Sequence, residues 1–156
     1  MPALHHALLG ASVVALAFAG LRLASRFAER GLPRLLAAVV FALSAFMGWY
    51  SGVVDGLRVA ALGWDTGLPG KLVVAVGVAA IVVLLLRALG FEIPPAVPLG
   101  MVIAALGTIG TILVLIRVID VPDDYPELRR AVGIWVSLAA GLLLIVSGLL
   151  KASDDL

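Results

Sequence analysis

Five long apolar runs constrain this chain more than any other feature. They lie at about residues 4–25, 35–50, 71–89, 97–116 and 131–150, each bounded by glycine, proline or charged residues. About 20 consecutive apolar residues suffice for a helix to cross the hydrocarbon of a bilayer. The breaks carry Pro33, Pro69, Pro94, Pro95, Pro98, Pro122 and Pro126. A proline inside a helix removes a backbone hydrogen bond that lipid cannot replace, so these residues mark where the chain leaves the apolar phase. The runs are apolar on every side, whereas the strands of a membrane barrel alternate apolar and polar residues. With 63% apolar and 13% charged residues, against about half and a quarter in soluble domains, the chain has too much apolar surface for one small core. The expected fold is therefore all-α: a polytopic transmembrane helix bundle of about five spans, forming a single integral membrane domain over residues 1–156. The helix of the second span is expected to continue as far as residue 62.

The first run admits a second reading. Ala17-Phe18-Ala19 has the small-x-small form of a signal-peptidase site, and cleavage there would leave four spans. The residues before it, Met1 to His6, carry no Lys or Arg, so retention is the expectation. Arg22, Arg26, Arg30 and Arg34 cluster after the first run, which by the distribution of Lys and Arg puts that loop inside, the N-terminus outside and the C-terminus inside.

Eleven basic and ten acidic groups give a net charge of +1, which offers no footprint for nucleic acid. The absence of cysteine removes thiolate ligands, disulfides and thiol nucleophiles. The last four runs hold no ionisable residue near their centres, where such groups mark proton relays, ion pathways or catalysis. No zinc-protease, phosphate-loop or nucleophile-elbow motif occurs. The expectation is a protein that is not an enzyme and needs no metal or other cofactor.

Several residue groups are candidates for function. Ser44, Gly48, Gly52, Gly56 and Ala60 recur every four residues, which on a helix makes a face of small side chains suited to close helix contact. Trp49, Tyr50, Asp55, Arg58, Trp64 and Asp65 fall near one expected boundary and form a candidate outer rim, the aromatic rings serving as headgroup anchors. Asp55 and Arg58 are three apart, a helical spacing for an ion pair. Asp55-Gly56 also matches the opening of the Asp-Gly-x-x-Ala-Arg signature of CDP-alcohol phosphotransferases, but the rest of that signature is missing. Thr108 and Thr111 are candidate path-lining residues, while Gly107, Gly110 and Thr111 share a face suited to helix packing. Asp120, Asp123, Asp124 and Glu127 lack the spacing of a calcium loop and read as a solvated turn. Pro126 and Glu127 in that turn suit the start of the last helix. His5 and His6 are adjacent, point about 100° apart on a helix, and cannot share a metal.

From Trp49 onward the order of features resembles a group of small four-span membrane proteins of high-GC actinobacteria. The residues that carry the resemblance are Trp49-Tyr50-Ser51, Gly63-Trp64-Asp65, Arg87 before a proline-rich turn, the stretch Ile116 to Pro122, and Arg130-Ala131-Val132-Gly133-Ile134-Trp135. It covers about residues 35–153, and this chain carries an extra run before the shared four. The resemblance implies a bacterial origin, location in the plasma membrane and a four-span architecture; the group has no established activity. Two functions remain. One is a non-catalytic membrane scaffold or accessory subunit that acts through helix packing and the outer rim, with the bilayer and a membrane-protein partner or second copy as its contacts. The other is an oligomeric channel or uniporter for a small solute.

Overall fold

The computed structural model describes residues 31–91, 97–124 and 127–154. The first expected span, with His5, His6 and the cleavage motif, lies outside the described residues. The chain divides into two compact units, residues 1–33 and 34–156, and the architecture below is that of the second.

Four helices and a three-stranded sheet follow in order: α1 (Leu32–Ser44), β1 (Gly48–Val54), β2 (Leu57–Leu62), a single 3-10 turn (Gly63–Thr66), α2 (Leu68–Ala88), α3 (Leu99–Ile119), β3 (Arg129–Arg130) and α4 (Val132–Asp154). Helices α2, α3 and α4, of 21, 21 and 23 residues, are each long and apolar enough to cross a membrane. At 1.5 Å per residue each exceeds about 30 Å, the thickness of the hydrocarbon. They match the expected runs 71–89, 97–116 and 131–150 to within a few residues.

The second run departs from expectation. Its helix ends at Ser44 after 13 residues, about 20 Å, and the segment expected to carry it to residue 62 is a β-hairpin. The fold is therefore mostly helical with a small sheet, not all-α. Asp55 and Gly56 form the two-residue turn, with φ of 52° and 79°. Positive φ at both positions is the type I′ geometry whose twist matches that of paired strands, and Asp-Gly is among its preferred sequences. Val53, Val54, Val59, Trp49 and Tyr50 on either side are residues that favour strands over helices. Strand β1 pairs antiparallel with β2 from Val54↔Leu57 to Gly48↔Leu62 and, on its other side, with β3 through Tyr50↔Arg130 and Ser51↔Arg129. The sheet order is β2-β1-β3.

Close packing of α3 on α4 forms the centre of the bundle. A Cβ on Gly100 would lie 2.5 Å from the Gly148 carbonyl oxygen, one on Gly148 would lie 2.5 Å from the Ala104 nitrogen, and one on Gly107 would lie 2.8 Å from the Ile145 nitrogen. Backbone meets backbone there because no side chain intervenes, which is how apolar helices gain contact when lipid supplies no hydrophobic drive. Phe41 of α1 is fully buried and its ring rests against Gly110 and Gly141, while Ala42 rests against Gly77 of α2. The outward faces carry exposed Leu, Ile and Val, among them Val78, Val82, Ile109, Ile112, Leu142, Leu143 and Val146. Exposed apolar side chains in such number are compatible with a membrane or partner contact.

Candidate functional site: a sheet that closes two helix ends

Helices α1 and α3 finish at the same end of the bundle, where α2 and α4 begin, and the sheet lies across that end. A helix leaves its last four carbonyls without intrahelical donors, and at the edge of an apolar phase these are costly to leave bare. The sheet supplies donors to both ends. Trp49 donates its indole N–H to the Ser44 carbonyl at 2.9 Å, the last residue of α1. Tyr50 donates its hydroxyl to the Arg117 carbonyl at 2.5 Å, and Arg130 donates Nε–H to the next carbonyl, Val118, at 2.5 Å. The Asp120 N–H closes Ile116 O at 2.8 Å, so three successive carbonyls at the end of α3 have donors.

The local sequence explains how two successive aromatic residues both point inward. Adjacent residues on a regular strand face opposite ways. The β1–β2 register shifts between Gly48 and Tyr50, so Trp49 is an extra residue in β1. Such a bulge re-aims side chains, and Trp49 and Tyr50 are both 0% exposed. The Trp49 ring lies directly against Gly63, where any Cβ would overlap it. The Ala131 N–H donates to Trp49 O at 2.7 Å and the Trp64 N–H to Ala45 O at 2.7 Å, tying the hairpin to both flanking segments. Beneath it, Ser44 donates to Phe41 O at 2.6 Å and its hydroxyl also meets that of Ser137, a polar link from α1 to α4 between two fully buried side chains.

The electrostatics follow from this burial. Desolvation pushes the Tyr50 phenol above its ordinary value of 10.0, against the opposing pull of Arg117 and Arg130 and with a smaller push from Asp120. Tyr50 is therefore a neutral donor at physiological pH, as its bond to a carbonyl requires.

The candidate residues read from the sequence fare differently. Trp49 and Tyr50 are not headgroup anchors; they are buried caps. Trp64 is half exposed, stacked on Phe46 with ring centroids 5.6 Å apart, and the Lys71 ammonium lies 5.7 Å from its centroid. Asp55 is in the hairpin turn and Arg58 stands opposite Val53 on β2, so the helical spacing assumed for an ion pair does not exist. Asp65 is exposed in the 3-10 turn.

The small-residue ladder is also corrected. Ser44 ends α1, Gly48 and Gly52 are in β1, Gly56 is in the turn, and Ala60 is in β2, so these five residues form no helix face. The expectation for Gly107, Gly110 and Thr111 holds, since all three are buried on one side of α3. Thr108 faces outward and bonds Ala104 O at 2.8 Å, whereas Thr111 is buried against Gly141. Within the chain the two threonines therefore differ in surroundings, Thr108 exposed and Thr111 buried. Glu127 is not in the first turn of the last helix, which begins at Val132 after β3, and Pro126 lies outside the described residues.

Sequence reasoning missed Arg117 and Arg130 as contributors to the site. It also missed the exposed aromatic residues at this end, Phe46 and Trp135, the latter 51% exposed. Among the described residues no three His, Asp or Glu side chains come together to hold a metal. No family model, no curated protein and no solved structure matches the chain.

Proposed function

We propose that this chain is an integral protein of a bacterial plasma membrane that serves as a non-catalytic scaffold or accessory subunit, with the sheet end as the surface its partner reads. The observation that carries this reading is the division of labour within the hairpin. One face of the sheet holds Tyr50, Ala61 and Gly52, turned toward the bundle and Leu128. The other holds Ser51, Val53, Arg58 and Ala60, all exposed, and the outer edge of β2 has no strand partner among the described residues. Val53 and Leu57 are 61% and 71% exposed. A rigid, capped support carrying an exposed apolar edge suits recognition, because strand edges offer unpaired backbone groups and alternate side chains to a partner.

Orientation belongs to the same proposal. With the N-terminus outside and the C-terminus inside, the sheet end faces outward. The segments that carry the actinobacterial resemblance, around Trp49, Gly63, Arg117 and Arg130, gather at this end, and we propose that the cap is the feature such proteins share.

The chain has no cysteine, so one introduced thiol is unique. Val53→Cys at the sheet end and Arg87→Cys at the opposite end are compared by cross-linking in native membranes. A discrete heterologous product from Val53→Cys alone supports the accessory role. A homodimer product points to self-association, and identical patterns from the two positions count against a sheet-end interface. Labelling by a membrane-impermeant maleimide from each side reads the orientation.

A further inference from the structure

Arg117 stands in the last turn of α3, and its guanidinium reaches the start of α2, where one Nη lies 3.1 Å from the position a Cβ would take on Gly67. Its Nε is buried without a hydrogen-bond partner, and no carboxylate among the described residues pairs with it. A guanidinium keeps its charge at any physiological pH and presents five donors. Arg117 as a residue is partly exposed, but its Nε–H is covered and unbonded, and a covered donor of a charged group left without an acceptor is costly, which favours an acceptor from outside the chain.

The neighbourhood suits an oxyanion. Helix α2 opens with no side-chain cap and no acidic residue in its first turn, and that turn contributes Lys71. The positive end of a 21-residue helix, a guanidinium and an ammonium thus lie at the start of α2. Asp65 and Asp120, the nearest acids in sequence to these elements, are exposed and make no ion pair with Arg117. Leu68 and Leu72 are exposed one turn apart on the same helix, an apolar track suited to an acyl chain, and the half-exposed Trp64 lies beside Lys71.

We propose that Arg117, with Lys71 and the opening turn of α2, seats the phosphate of an anionic phospholipid. This rests on the reading of the chain as an integral membrane protein, which carbonate extraction and flotation of the full chain test separately. The proposal itself is tested on the full chain in detergent by native mass spectrometry and thermal unfolding, with phosphatidylglycerol, phosphatidylcholine or inorganic phosphate added.

Wild type is expected to retain phosphatidylglycerol over phosphatidylcholine and to be stabilised by it. Arg117→Gln is expected to weaken that retention about ten- to a hundred-fold, the loss of a charge-assisted contact. Arg117→Lys, which keeps charge but not the fork, is expected to fall between, and Arg87→Gln at the far end to behave as wild type. If Arg117→Gln does not fold, Lys71→Gln carries the comparison, with several-fold weaker retention expected. Equal retention of the two lipids by wild type, or undiminished preference in both variants, overturns the site. Stabilisation by inorganic phosphate equal to that by phosphatidylglycerol overturns the assignment to lipid.

Discussion

The α3–α4 contact and the sheet end use opposite means to hold the molecule together. In the bundle, Gly100, Gly107 and Gly148 let two backbones approach without intervening side chains, and stability comes from many small dispersion contacts. At the sheet end a few large side chains, Trp49, Tyr50 and Arg130, each close one helix carbonyl. The bundle is sensitive to added volume, and the cap to lost donors. Packing suffices where nothing polar needs a partner, whereas a helix end at an apolar boundary must find donors.

Substitutions that add volume or remove donors separate the two regions. Gly148→Leu drives a side chain into the α3 backbone and is expected to cost about 3 kcal/mol or more, seen as loss of a cooperative melt in detergent. Leu57→Ser, on the exposed hairpin tip, is expected to change stability by less than about 0.5 kcal/mol; a comparable loss would mean the tip is covered.

Within the cap, Trp49→Phe keeps an aromatic ring but removes the indole donor from Ser44 O, which retains the Met47 N–H at 3.1 Å, for an expected cost of about 1 kcal/mol in chemical denaturation. Tyr50→Phe is expected to cost about 1–2 kcal/mol for the same reason. The Tyr50 phenol titrates near 10.0 when unfolded and higher in the fold. Its contribution is thus complete below pH 10 and declines as pH rises through the folded value. Wild type should lose stability over that alkaline range more steeply than Tyr50→Phe, and equal slopes would show that the phenol is not buried.

An effect of the opposite sign is expected at Thr111, whose buried hydroxyl has no partner among the described residues. Thr111→Val removes an unsatisfied polar atom and is expected to stabilise by about 1 kcal/mol. A marked loss of stability would instead show that this hydroxyl has a partner.

The three long helices were readable because an apolar run of about 20 residues has only one comfortable conformation in lipid. The hairpin was harder to see because a spacing of four suits two periods. It is close to 3.6, so Ser44, Gly48, Gly52, Gly56 and Ala60 look like one helix face, and it is a multiple of two, so the same spacing fits a strand. The signal that separates them is Asp55-Gly56 between segments rich in valine and aromatic residues, a hairpin pattern hidden by the apolar character of the whole region. The cap was not readable at all from local sequence. Its acceptors belong to Ser44, Arg117 and Val118, and the donor Arg130 is 80 positions from Tyr50, its partner across the sheet.

What the sequence determined by itself is the three long apolar helices α2, α3 and α4 with no ionisable residue near their centres, because such groups are costly at the middle of an apolar span. Tertiary structure alone decided what the polar and aromatic residues at one end do. Trp49 and Tyr50 have the same amphipathic chemistry whether they anchor to headgroups or cap helices. The bulge in β1 and the pairing with β3 turned them toward helix-end carbonyls, and a buried acceptor holds such a donor more strongly than water does.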